Sequence, residues 1–127
     1  MNGNSLVLDS NILIYLSKGD LDFSKITQGY SNIYISVISY MEALGFNFKN
    51  ESEKKLIEQL LRSIEVIHTD AEIASAVVEY RSRSKIKLPD AIILATAKKM
   101  KADLKTANVR DFKNADKGVR LINPFDQ

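Results

Sequence analysis

The sequence of 127 residues contains no cysteine and only one histidine, His68. The absence of cysteine excludes disulfide-stabilised scaffolds, thiolate zinc sites and cysteine nucleophiles. The single histidine excludes metal sites built from several imidazoles. Any metal ion must therefore be held mainly by oxygen ligands, which favours Mg²⁺ or Mn²⁺ over zinc or copper.

Glycine and proline are also scarce, with five and two residues respectively. This scarcity argues against a linker-like or disordered chain. The 45% apolar and 27% charged residues are the balance of an ordinary globular protein. The length predicts one domain over residues 1–127. The net charge of +2 is too small to indicate or exclude a nucleic-acid partner.

Long apolar runs are absent as well, since none approaches the roughly 18 residues of a membrane span. The apolar stretch 6–16 is interrupted by Asp9, Ser10 and Asn11 and has no basic region before it, so it does not resemble a signal peptide. We therefore predict a cytoplasmic location with no membrane contact.

Strand and helix patterns alternate along the whole chain. We predict strands at 5–8, 32–36, 65–68, 102–106 and 119–122, and helices at 11–18, 23–29, 37–46, 51–63, 70–83 and 90–100. Such alternation predicts βα units, with a parallel sheet covered by helices on both faces.

Three carboxylates stand beside apolar segments. Asp9 ends the first predicted strand, Glu42 lies among apolar residues of a predicted helix, and Asp90 opens a helix that continues with five apolar residues. An ionised carboxylate in apolar surroundings needs a partner or a metal ion. Asp9 and Asp90 could equally stabilise the start of a helix, so each residue alone leaves both roles open.

The placement of these acids favours a shared site. Ligands of open α/β sheets bind beyond the carboxyl ends of the strands. Asp9, Glu42, Asp90 and the polar segment 106–112 all follow or flank predicted strand ends at that edge. Several carboxylates cannot share a small site at neutral pH without cations, so the pattern predicts a site for hard divalent ions.

Four segments carry a family resemblance: LVLDSN at 6–11, ISVISYME at 35–42, LPDAIILATA at 88–97 and TANVRDF at 106–112. In order and spacing they resemble the PIN-domain ribonucleases, in particular the VapC-type toxins of prokaryotic toxin–antitoxin modules. The resemblance implies a three-layer α/β/α fold with a central, mainly parallel sheet of about four to five strands. It also implies Mg²⁺- or Mn²⁺-dependent endonucleolytic cleavage of RNA, a homodimer and a cognate antitoxin.

The same resemblance implies roles for individual residues. Asp9, Glu42 and Asp90 correspond to the acidic metal ligands, and Ser10 to the hydroxyl residue that supports them. The fourth acidic position falls on Asn108, and Asp111 is the available carboxylate three residues later. We expect Asp111 to be the fourth ligand, with Asn108 as the alternative.

Further residues are expected to assist. Asn11 and Arg110 lie inside the motifs and are candidate supporting residues. Four basic residues before the third motif are candidates for contact with RNA phosphates, although a solvated helix end explains them equally well: Arg81, Arg83, Lys85 and Lys87.

Two other functions remain open from the sequence. A catalytically inactive PIN-like binding protein is one, because the fourth acidic position holds Asn108. A phospho-receiver signalling domain is the other, since it shares the length and the βα alternation. A receiver needs adjacent acids after the first strand, however, and here Ser10 follows Asp9.

Overall fold

Strands and helices alternate along residues 4–126, the part of the chain that the computed structural model describes. In chain order the elements are β1 (Ser5–Leu8), α1 (Ser10–Ser17), α2 (Phe23–Ile26), β2 (Asn32–Ser36), α3 (Val37–Leu44), α4 (Glu51–Leu61), β3 (Glu65–Ile67), α5 (Ala71–Arg83), α6 (Leu88–Lys99), β4 (Asp103–Lys105) and β5 (Leu121–Ile122). Two 3₁₀ helices, Val109–Phe112 and Pro124–Asp126, flank β5. None of the helices within the described residues is long and apolar enough to cross a membrane.

The five strands form one parallel sheet in the order β3-β2-β1-β4-β5. This arrangement confirms the predicted parallel sheet. The strand order reverses between β1 and β4, and the crevice at such a switch point is where open α/β sheets bind ligands. Receiver-type folds have the order 2-1-3-4-5, so the observed order excludes the receiver alternative.

The central strand β1 is buried on both faces, which explains its continuous apolar sequence. Val7 packs into a cluster with residues of α5 and α6. Leu6 and Leu8 point to the opposite face and pack with residues of α1, α3 and α4. Successive side chains of a strand alternate between faces, so helices cover the sheet on both sides and the predicted three-layer architecture is confirmed.

Side-chain caps set where the helices begin. The carboxylate of Asp9 accepts a hydrogen bond from the Ser10 amide, so α1 begins one residue earlier than predicted. Ser36 caps α3 in the same way. Helix α6 begins at Leu88 with Pro89 in its first turn, a favoured position for proline, and Asp90 therefore lies within that turn. Helices α1 and α3 thus start directly after β1 and β2, at the edge where the acids lie.

The buried side of the amphipathic helix α4 differs in part from the one that its sequence predicts. The spacing of Leu56, Leu60 and Ile64 in the sequence predicts that these three residues face the core. Ile64 is buried and Leu60 packs against the core as predicted, but Leu56 is 37% exposed and Ile57 is fully buried in its place. The buried stripe passes through Ile57 and the following turn, which puts Leu56 at its solvent edge.

Candidate functional site

Asp9 lies in the switch-point crevice, at the end of β1 and immediately before α1. Its side chain is only 5% exposed. Its Oδ1 accepts from the Ser10 amide at 2.8 Å, and its Oδ2 accepts from the Thr106 hydroxyl at 2.7 Å. Burial raises the pKa of Asp9 although these hydrogen bonds lower it. Asp9 is therefore a helix cap and also a buried, oriented carboxylate, and its capping role is compatible with the metal-ligand role that the sequence left open.

Ser10 connects Asp9 to Glu42. The Ser10 hydroxyl lies 2.9 Å from Oε1 of Glu42 and 3.4 Å from Oδ1 of Asp9. Glu42 projects from α3 and is exposed, which corrects the expectation of an acid held against an apolar helix face. Its negative charge also raises the pKa of Asp9. One hydroxyl thus lies between two carboxylates, one at the end of β1 and the other on α3.

Asp90 shows that the acids share one electrostatic environment. Burial, followed by the charges of Asp9, Asp111 and Glu42 in that order, raises the pKa of Asp90 from 3.8 to about 6. Lys87 opposes them by lowering the pKa. The other three predicted acidic residues therefore all act on Asp90.

The segment after β4 brings the fourth position to the crevice. Asn108 and Asp111 are both exposed, and Asp111 belongs to the 3₁₀ turn that Phe112 anchors by complete burial. Asn11 supports this segment, because its Oδ1 accepts from the Ala107 amide at 3.4 Å. Asp111 acts on Asp90 through its charge, whereas the side chain of Asn108 is neutral.

Thr106 is a site residue that sequence reasoning missed. Its side chain is completely buried. Its hydroxyl donates to Asp9 and accepts from the Asn108 amide at 3.0 Å. Thr106 therefore ties the first acid to the segment that carries the fourth position. The register between β1 and β4 explains why Thr106 belongs to the site. Leu8 pairs with Lys105, so the residues that follow them, Asp9 and Thr106, lie opposite each other.

The donor set fits a hard divalent cation in its chemistry. All candidate ligands are carboxylate or amide oxygens, which Mg²⁺ and Mn²⁺ prefer. Among residues 4–126, no three acidic or histidine side chains already stand at the spacing of a formed metal site. Mutual repulsion, visible in the raised pKa of Asp90, opposes such convergence without a cation.

The four basic residues before the third motif are all exposed and differ in the charged groups near them. Arg81, Lys85 and Lys87 are exposed, and Arg83 forms an exposed ion pair with Glu79 at 3.2 Å. Of these, Lys87 is the one whose charge reaches Asp90.

Lys105, directly before the polar segment 106–112, does not face the crevice. It is buried, and its ammonium group donates to the carbonyl oxygen of Ile26 at 2.8 Å. The ammonium group of Lys105 thus links β4 to the end of α2 by a hydrogen bond. Arg110, by contrast, is exposed on the turn beside Asp111.

Comparisons with known proteins agree with this architecture. The sequence model of the PIN domain matches residues 6–118. A toxin–antitoxin complex from Klebsiella pneumoniae contains a chain 32% identical to this one, with 94% of this chain and 97% of that chain covered and a TM-score of 0.77. VapBC2 from Rickettsia felis, solved with a DNA fragment from its promoter, is 23% identical, with 94% and 98% covered and a TM-score of 0.77.

FitAcB from Neisseria gonorrhoeae is 22% identical, with 96% and 99% of the two chains covered and a TM-score of 0.67. At this level of identity the Rickettsia and Neisseria structures show a common fold. A comparison with curated protein sequences gave no match. Because the family model spans nearly the whole chain and the fold agrees, this chain belongs to the PIN domain family.

Proposed function

We propose that this chain is a Mg²⁺- or Mn²⁺-dependent endoribonuclease and the toxin component of a toxin–antitoxin pair. The observation that carries the proposal is the gathering of Asp9, Glu42 and Asp111 around Asp90, whose pKa they raise. A set of acidic oxygen donors at the switch point of a parallel sheet is suited to cations and a phosphate-bearing substrate.

The residues around the acids prepare them for this role. A divalent cation held by Asp9, Glu42, Asp90 and Asp111 would supply Lewis-acid activation of the phosphate and of the attacking water. Thr106 and the Ser10 amide hold the carboxylate of Asp9 in one orientation. The Ser10 hydroxyl holds Glu42 beside it. Hydrolysis adds water to the phosphorus and breaks one P–O bond of the chain.

Basic residues near the acids would contact the phosphates that flank the cleaved bond. Lys87 is exposed and acts on Asp90 through its charge. Arg81 and Lys85 extend the positive charge along the connection before α6. Such contacts orient a strand without reading its sequence. The choice of RNA over DNA rests on the family resemblance.

The partner proposals rest on the structural neighbours. The Klebsiella relative was solved as a toxin–antitoxin complex, which supports a cognate antitoxin for this chain. A homodimer, a cytoplasmic location and a single domain over residues 1–127 follow from the resemblance and from composition, and they stay predictions.

Cleavage of a panel of structured RNAs tests the activity. Wild-type protein should cleave in Mg²⁺ or Mn²⁺ and stop in EDTA, whereas Asp9→Asn and Asp90→Asn should fold and not cleave. Glu58→Gln, which removes an exposed carboxylate of α4, is the matched control and should cleave normally. Cleavage by either aspartate variant at the wild-type rate would contradict the assignment.

The inactive alternative is distinguished in the same experiment. Asn108 at the fourth acidic position is the observation that favours it. A folded wild type that binds Mn²⁺ and cleaves no RNA would support a binding protein instead. Expression in a bacterial host should slow growth for the wild type, and should not do so for Asp9→Asn.

A further inference from the structure

An open cavity of about 330 Å³ lies beside the acids, between the turn after β4 and the C-terminal segment. Its size falls in the range of small-ligand pockets. One wall, the turn after β4, carries Asp111 of the acidic site, whereas the other wall, the segment after β5, takes no part in that site. The cavity is lined by Ala107, Asn108, Val109, Arg110, Asp111, Asn123 and Asp126.

Specific contacts hold the two walls together. The Asn123 side chain donates from Nδ2 to the Ala107 carbonyl at 3.3 Å and accepts at Oδ1 from the Phe125 amide at 2.9 Å. The Phe125 ring meets the Tyr15 ring edge-on, with 4.9 Å between centroids. The C-terminal segment is thereby fixed against both the motif turn and α1, so the two walls of the cavity are held in place relative to each other.

The groups that line the cavity offer both donors and acceptors. Arg110 is exposed and forms no ion pair within residues 4–126. The Asn108 side chain does not cap the turn that follows it, so its amide remains available. Asp126 is exposed on the opposite wall and supplies carboxylate acceptors.

We propose that this cavity is a base-binding subsite that takes a guanine of the RNA strand next to the cleaved phosphate. The inference rests on the proposed ribonuclease function and adds sequence preference to it. An arginine fork matches O6 and N7 of guanine. A carboxylate can accept from the N1 and N2 hydrogens on the other edge of the base. Adenine would direct its amino group at the arginine and offer no hydrogen at N1.

Asp111 belongs both to the lining of this cavity and to the acidic site. It lines the cavity and also acts on Asp90 through its charge. A base bound there therefore belongs to a nucleotide adjoining the phosphate at the acids. Recognition by base edges requires single-stranded RNA, which is where proteins usually read RNA sequence.

Sequencing the cleavage products of a randomised, unstructured RNA tests the preference. Guanine should be enriched at one position beside the cut for the wild type. Arg110→Ala and Asp126→Asn should each reduce that enrichment about tenfold, the loss expected for a bidentate base contact. Arg62→Ala removes an exposed arginine just before β3, the opposite edge strand, and should leave the enrichment unchanged.

Binding measured in EDTA separates this inference from the proposed function. Fluorescence anisotropy should show tighter binding to a uridine octamer with one central guanine than with one central adenine, and Arg110→Ala should abolish the difference. Guanine-dependent binding without any cleavage would uphold the subsite and contradict the ribonuclease proposal. Cleavage with no guanine enrichment, or with an enrichment that both variants retain, would overturn the subsite. Absence of both cleavage and guanine-dependent binding would overturn both.

Discussion

Asp90→Asn should stabilise the metal-free protein while removing its response to metal. The pKa of Asp90 is raised from 3.8 to about 6, first by burial and then by Asp9, Asp111 and Glu42. A raised carboxyl pKa means that the folded state favours the protonated form. The resulting stability is fully present below pH 3.8 and is lost as the pH rises through about 6. Above that pH, the charge at position 90 therefore destabilises the fold.

The size of the effect follows from this pKa. A tenfold change in proton affinity is worth about 1.4 kcal/mol, so the change at Asp90 corresponds to at most about 3 kcal/mol. Solvent screening at this partly exposed group reduces the figure to about 1–2 kcal/mol. Losing the favourable interaction of a negative charge with the start of α6 subtracts roughly 0.5 kcal/mol. We expect a net gain of about 1 kcal/mol, or about 3–5 °C in melting temperature.

Urea and thermal unfolding in EDTA at pH 8 and at pH 5 would measure this gain. Asp90→Asn should be more stable than the wild type at pH 8, and the difference should shrink at pH 5. Glu58→Gln should show no such pH-dependent difference. Added Mn²⁺ should stabilise the wild type by mass action and have little effect on Asp90→Asn. A variant less stable than the wild type at both pH values would refute the reasoning and leave Asp90 as a structural helix residue.

Thr106→Val removes the buried hydroxyl that holds the first site carboxylate, so it should lower the free energy of unfolding by about 1–3 kcal/mol, and Thr106→Ser should restore most of the loss. Tyr80→Phe removes a 2.6 Å hydrogen bond to Asp116 and should lower stability by about 2 kcal/mol at pH 7. Burial raises the pKa of Asp116, but hydrogen bonds from Tyr80 and a neighbouring lysine hold it below 3.8, so the deficit of Tyr80→Phe in urea unfolding should narrow as the pH falls below about 4. At the fourth position, Asp111→Asn should weaken Mn²⁺ binding and RNA cleavage more than Asn108→Ala, as titration calorimetry and initial rates would show; the reverse order would assign the position to Asn108.

The elements and the positions of the acids are predictable because they depend on local patterns. Apolar runs, alternation and capping residues indicate where each strand ends and each helix begins. In a parallel sheet, those ends collect at one edge. The positions of Asp9 and Asp90 directly beside apolar segments therefore predict that both lie at the crevice, without knowledge of the strand order.

Features that depend on strand register and helix rotation were harder to predict. Thr106 meets Asp9 across 97 residues of sequence, because β4 pairs with β1. The neighbouring Lys105 carries a charge that suggests solvent, yet it is buried and holds the end of α2. Glu42 lies among apolar residues in sequence but faces solvent. In each case tertiary packing decides which side of the element is buried.

The cleavage rate of one structured RNA, followed through a Mn²⁺ titration, tests the central claim most directly. For the wild type, the rate should be zero in EDTA, rise with Mn²⁺ and saturate. For Asp9→Asn, it should stay at zero at every Mn²⁺ concentration while the unfolding transition remains cooperative. Wild-type cleavage in EDTA, or cleavage by Asp9→Asn at the wild-type rate, would contradict a metal-dependent ribonuclease built on these carboxylates.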